Sequence, residues 1–154
     1  MLTARMKKSA GAYRELDHPA DLFLEIRGAD LPGLYANALF AFYDHVAELG
    51  DFQPREERML TVEAPRREDA LRRLLTEALY YFETEHFVGT EGQVQVEETS
   101  EEPGRVKVTA VLRGERVDKT RHRLQTEVKA VTYHLLSVEP LADGTWKATV
   151  LFDV

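Results

Sequence analysis

No cysteine occurs among the 154 residues. That excludes a disulfide framework and a thiolate zinc centre, so any metal must be held by oxygens and imidazoles. No stretch approaches the roughly 20 consecutive apolar residues of a membrane span. Lys7 and Lys8 are followed shortly by Ala10-Gly11-Ala12-Tyr13-Arg14-Glu15, too short an apolar run for a signal peptide. The expected location is therefore the cytoplasm, with no membrane as a partner. Positive charge is also scarce: 20 Lys and Arg stand against 27 Asp and Glu, a formal net charge of -7. Such a balance disfavours a free-standing nucleic-acid binder, although it leaves room for a local basic patch. A glycine-rich phosphate loop, a Gly-x-Ser-x-Gly elbow and a His-Glu-x-x-His pair are all missing. The common nucleotide, hydrolase and zinc-protease motifs go with them.

What is present is enough for one core, since 44% of the residues are hydrophobic and the length suits a single domain better than two. The whole chain, 1–154, reads as that domain, with 1–11 as a loose N-terminal segment. From Tyr13 to Arg27 the pattern is extended, Leu22, Leu24 and Ile26 alternating with Phe23, Glu25 and Arg27. Pro19 cannot donate to a ladder and marks a corner just before Asp21. Asp30 is placed to cap a helix with Pro32 in its first turn, Leu31, Leu34, Tyr35, Ala38, Leu39, Phe42 and Val46 recurring at helical spacing up to a stop at Gly50. Met59 to Ala64 is a short strand. A second helix carries the stripe Ala70, Leu71, Leu74, Leu75, Ala78, Leu79 and Phe82. The remaining segments Gln93–Glu97, Arg105–Arg113, Thr126–Val138 and Thr145–Phe152 read as strands, the last two joined by a hairpin turn at Asp143-Gly144. The acidic stretch from Glu97 to Gly104 reads as a solvated turn. The fold class expected is α+β: a single domain of two amphipathic helices packed on one mostly antiparallel β-sheet.

Three segments could carry chemistry. Asp17-His18-Pro19-Ala20-Asp21 places two carboxylates and an imidazole around a corner, a donor set that suits hard cations but is also ordinary turn composition. At the other end, alternation puts Asp153 on one face with Lys147, Thr149 and Leu151, while Trp146, Ala148, Val150 and Phe152 take the other. Asp153 and the α-carboxylate of Val154 would repel unless something positive lay between them, and a divalent ion would serve. Residue chemistry alone gives more weight to an ordinary solvated terminus. Third, Thr126-Glu127-Val128-Lys129-Ala130-Val131-Thr132-Tyr133-His134 reads as a central strand in which a half-buried Lys129 calls for a carboxylate partner and His134 for a core hydrogen bond. Asp118 to His122, with Lys119, Arg121 and Arg123, is the most positive short stretch, and a solvated loop is its simpler explanation.

With those segments in view, the chain resembles the archease family, small accessory proteins of RtcB-type RNA ligases that act in tRNA splicing and RNA repair. The likeness runs nearly end to end. It rests on Leu16 to Asp21, the helix with Leu74-Leu75 and Leu79-Tyr80, the nine residues Thr126 to His134, which are the most specific, and Asp153-Val154. The sequence departs from the family pattern at Pro19, where Thr is usual, and at Phe23, where Gly is frequent. The resemblance implies an activator of the ligase, not itself an enzyme, that promotes GTP-dependent guanylylation and multiple turnover. It implies a divalent-cation site formed by Asp21, Asp153 and the carboxylate of Val154, with Asp17 and His18 in supporting positions and Lys129 as a functional residue nearby. The cation expected is calcium, with magnesium or manganese as substitutes, and RNA is expected to be contacted mainly through the ligase. Two other readings stay open: a stand-alone metal-dependent hydrolase, and a metal-independent adaptor or chaperone of an RNA-modifying enzyme.

Overall fold

The computed structural model describes residues 2–8, 11–100 and 105–154. Strands β1 (Leu2–Met6), β2 (Tyr13–Leu16) and β3 (Asp21–Gly28) precede helix α1 (Leu31–Val46). Strand β4 (Glu56–Ala64) leads into α2 (Arg67–Glu85). Five strands follow: β5 (Phe87–Glu98), β6 (Val106–Arg116), β7 (Ala130–Val131), β8 (Ser137–Pro140) and β9 (Trp146–Asp153). All pairings between these strands are antiparallel. The α+β class holds, with two helices packed on antiparallel sheet in one domain.

The strands divide into two sheets where one was expected. The first has the order β1-β5-β6-β4, and the second β2-β3-β9-β7, with β8 also pairing to β9. Helix α1 touches β1 and β5 of one sheet and β3 and β9 of the other, and α2 likewise contacts β4 and β6 on one side and β7 and β8 on the other. The helices are thus a middle layer. A helix with a sheet on each side must be apolar around most of its circumference, whereas one with a wet side needs only a stripe. Accordingly Ala36, Phe40, Ala41 and Tyr43 of α1 are buried beside its expected stripe, while α2, which reaches both sheets but keeps a wet side at Arg73, Thr76 and Tyr80, buries only Ala70, Leu71, Leu74, Leu75, Ala78 and Leu79.

Local chemistry fixes where α1 begins. Asp30 has extended backbone and its side chain accepts from Gly33 N–H at 2.8 Å, satisfying one of the unpaired first-turn donors. Gly28, at the end of β3, lies so close to this turn that a Cβ there would sit 2.3 Å from Leu34 N. The bare backbone lets helix and strand meet. Phe42 then stacks on Phe152 of β9 at 6.1 Å between ring centroids, which anchors the last strand to the helix layer.

Three expectations need correction. Residues Leu2–Met6 are not loose: they form β1, hydrogen-bonded to β5 from Leu2 opposite Val96 to Met6 opposite Gly92, and Met6 is buried. Thr126–Val138 is not one strand either. The segment does run along β9, with Lys129 N–H donating to Asp153 O at 2.7 Å and Thr132 N–H to Leu151 O at 3.1 Å. A ladder forms only at Ala130–Val131, and the chain then turns outward through Leu135, whose φ is 57°, before β8 resumes. Third, α1 stops at Val46, four residues before Gly50, where Leu49–Asp51 make a single 3₁₀ turn. The Asp143-Gly144 hairpin is present, with Gly144 at φ 87° and β8 antiparallel to β9. The expected turn over Glu97–Gly104 falls partly outside the described residues, at 101–104.

Candidate functional site

The second sheet brings the two ends of the sequence together. In the antiparallel register of β3 and β9, Asp21 is directly opposite Asp153, and on the other side of β9 Ala130 is opposite the same residue. Directly opposed residues point their side chains to the same face, with Cα atoms about 4.5–5.5 Å apart. The two carboxylates are therefore neighbours on the outer face, away from the helices, while Leu22, Leu24, Val150 and Phe152 alternate into the core. Asp153 is bonded on both sides, by β3 and by Lys129 N–H, and Val154 packs against the core. This end of the chain is held, not frayed.

The corner before β3 contributes an imidazole. Pro19-Ala20 makes the turn, with Ala20 in the left-handed region at φ 63°, a conformation usually left to glycine or asparagine. It brings His18 Nδ1 to 3.2 Å from Asp21 Oδ2. The approach misses hydrogen-bond geometry, so Nδ1 is a buried atom without a hydrogen-bond partner. The ring stands edge-on to Phe23 at 5.9 Å and to His134 at 6.2 Å. Phe23 is thus the apolar wall against which His18 rests. Asp17 is exposed. Among the described residues, no three His, Asp or Glu side chains converge closely enough to hold a metal ion unaided.

Two site residues differ from expectation. Lys129 is exposed, and no carboxylate lies within ion-pair distance of it among the described residues; the break in the strand releases it from the half-buried position foreseen. His134 is exposed as well and faces His18 instead of filling the core. What the sequence did not disclose is the surface on the far side of β7. There Arg72 of α2 donates through Nε to Val131 O at 2.9 Å and through Nη1 to Tyr133 Oη at 3.0 Å, with its guanidinium 3.8 Å from the Tyr133 ring centroid.

The basic stretch near His122 is structural. His122 is buried and stacks on Phe52 at 3.7 Å; its Nδ1 accepts from Asp118 N–H at 2.8 Å, so Nε2 carries the proton shared with Asp51 O and Glu115. Glu115 accepts from Arg121 at 2.7 Å and from Gln53 N–H at 2.9 Å, with Arg55 at 3.7 Å. These partners, Arg121 first, hold the Glu115 carboxyl down at about 2. Asp118 is likewise lowered to about 2, chiefly by the Thr120 hydroxyl and N–H. The cluster pins the segment that leads to Lys129.

Residues 13–154 match the Archease protein family (MTH1598/TM1083). The protein archease of Methanosarcina acetivorans is 34% identical over 149 residues, covering 97% of this chain and 100% of its own. That of Archaeoglobus fulgidus is 35% identical over 142 residues, covering 92% and 98% respectively. The solution structure of Methanobacterium thermoautotrophicum protein 1598 superposes with a TM-score of 0.78 at 26% identity, over 94% of this chain and 99% of that one. No helix among the described residues is long and apolar enough to cross a membrane. Sequence, fold and coverage together make this chain a member of the archease family.

Proposed function

We propose that this chain is the accessory protein of an RtcB-type RNA ligase in tRNA splicing or RNA repair. It promotes guanylylation of the ligase by GTP and repeated turnover, and works in the cytoplasm without joining RNA itself. The observation that carries the reading is the register that sets Asp21 opposite Asp153. Two carboxylates held at neighbouring positions on a rigid face repel one another, and a divalent cation relieves that repulsion. The donor set fits such an ion: all three oxygen groups are hard ligands, which suits calcium and admits magnesium or manganese. Two side chains do not complete a site, and the third donor in this reading is the one the archease resemblance implies, the α-carboxylate of Val154.

Each residue then has a physical task. Asp21 and Asp153 hold the cation at the end of a strand pair that cannot fray. His18, packed edge-on against Phe23, stands 3.2 Å from the Asp21 carboxylate with a ring nitrogen unpartnered, and exposed Asp17 adds negative potential beside it. Lys129, with no carboxylate partner among the described residues, offers a positive charge next to Ala130, the residue paired with Asp153. A cation bound here would supply positive charge for an anionic group of the ligase or its nucleotide. The test is to add the chain to an RtcB-type ligase with GTP and calcium, then to measure guanylylation and multiple-turnover joining. Stimulation by the unaltered chain, lost on appending residues after Val154 or in Asp153→Asn, is the expected result. Absence of any stimulation by the unaltered chain overturns the reading.

A further inference from the structure

A groove runs between α2 and β7. It has a volume of about 400 Å³ and is lined by Arg72, Thr76, Tyr80, Glu83, Lys129 and Val131 among others. Tyr80 is 58% exposed and Tyr133, which carries the Arg72 guanidinium on one ring face, is 66% exposed. Leu135, on the turn that leaves β7, is exposed too. Exposed rings and aliphatic groups gathered beside one groove cost solvation in the free protein and are the usual mark of a contact surface.

Charge sharpens this. Arginines elsewhere are largely committed to carboxylates: Arg14 to Glu25, Arg58 to Glu85, Arg67 to Glu98, Arg105 to Glu63, Arg113 to Glu57 and Arg121 to Glu115. Among the described residues neither Arg72 nor Lys129 has such a partner, a condition they share with Arg5, Arg73, Lys107, Lys119 and Arg123; Arg72 is held instead by Val131 O and Tyr133, which leaves Lys129 as the open cation of the groove. An open lysine and an arginine held only by a backbone carbonyl and a tyrosine, beside two open tyrosine rings, match a partner that brings a carboxylate and apolar side chains. A nucleic-acid strand fits less well, because its phosphates would also meet Glu83 in the groove and the overall negative charge.

We infer that this groove is where a partner protein docks, its apolar side chains against Tyr80 and Tyr133 and a carboxylate on Arg72 and Lys129. Resting on the ligase reading above, the assignment makes that partner the ligase and gives the docking site a place apart from the cation site. β7 is the wall they share. Lys129 N–H bonds to Asp153 O and Ala130 lies opposite Asp153, so a partner seated in the groove brings its own surface to the Asp21–Asp153 face.

The experiment is a titration of ligase guanylylation with the full chain, together with direct binding to the ligase by interferometry. Tyr80→Ala and Tyr133→Ala should each raise the half-saturating concentration and the Kd by about tenfold, the loss of one anchoring side chain, and leave the plateau of stimulation unchanged. Both rings are solvent-facing, so both variants should fold, which circular dichroism verifies. Met59→Ala, removing an equally exposed side chain (62%) from the first sheet, should change nothing. Unchanged half-saturation in the Tyr80→Ala/Tyr133→Ala double variant overturns the docking assignment alone. So does a groove that a short single-stranded oligoribonucleotide fills with comparable affinity and the same tyrosine dependence. A chain that never stimulates the ligase overturns the proposed function instead, whatever the variants do.

Discussion

Asp153→Asn should stabilise the cation-free protein and abolish most of its response to calcium. The carboxylates of Asp21 and Asp153 are directly opposed across β3 and β9 on a solvent-facing surface. Two unit charges about 5 Å apart in a medium close to water repel by about 1 kcal/mol, and removing one should raise Tm by roughly 2–4 °C in a chain of this length. Calcium at a hundredfold excess over its Kd would stabilise the unaltered protein by about 2.7 kcal/mol, or roughly 5–10 °C. The order of stability should therefore invert: the variant melts higher in EDTA, and the unaltered protein melts higher in calcium. Scanning calorimetry under both conditions reads this directly. Raising NaCl to high concentration should shrink the gap in EDTA, since exposed charges are screened. A variant that melts lower than the unaltered protein in EDTA refutes the reasoning, because it would mean that Asp153 is paired in the free protein. Equal calcium responses in the two proteins would refute the cation site itself.

The parts of the fold that were legible in sequence are those set by neighbours in the chain. The start of α1 needs only Asp30, Gly33 and Pro32, three residues within one turn, and the corner before β3 needs only Pro19 followed by a residue able to turn. Alternation located β3 and β9 and assigned the correct residues to each face. It carries no record of which strand pairs with which, so the division into two sheets was hidden. One clue to it was present: Ala36, Phe40 and Ala41 lie outside a single stripe on α1, and a helix apolar on that many sides has something dry on more than one of them.

The site divides along the same line. Asp21 and Asp153 were singled out by type and by their places near a corner and a terminus, while their direct opposition is a fact of register that only the folded sheet supplies. Lys129 and His134 were misplaced because Val128, Ala130 and Val131 look like a continuing strand; the outward turn at Leu135 depends on β9 offering partners to only part of the segment. Tyr80 and Tyr133 lie in segments that carry the family resemblance, yet their exposure could not be read there, since a tyrosine on a helix or strand is as compatible with the core as with the surface. Their exposure, and the stacking of Arg72 on Tyr133 across 61 residues of sequence, come from tertiary packing.

Three further outcomes test the fold around the site. Asp30→Ala should cost about 1 kcal/mol in urea unfolding, and Asp30→Asn far less, because the cap needs only a side-chain acceptor for Gly33 N–H. Gly114→Ala should lose about 3 kcal/mol or more, since its Cβ would lie 1.9 Å from Val88 O and 2.8 Å from Gly89 Cα, both backbone atoms that cannot swing away; an unchanged urea midpoint would contradict the close approach of β5 and β6. Glu115→Gln should reveal a pH-dependent contribution. The Glu115 carboxyl is held at about 2 in the folded chain and returns to about 4.3 when unfolded, so the unfolded state binds more protons between these values. The stabilisation is complete above the unfolded value and disappears as pH falls toward 2. The stability difference between the unaltered protein and Glu115→Gln should accordingly be largest near neutral pH and narrow steadily between about pH 5 and pH 3. A difference that stays constant over that range would mean that the contacts of Glu115 with Arg121 and Gln53 N–H do not favour its charged form.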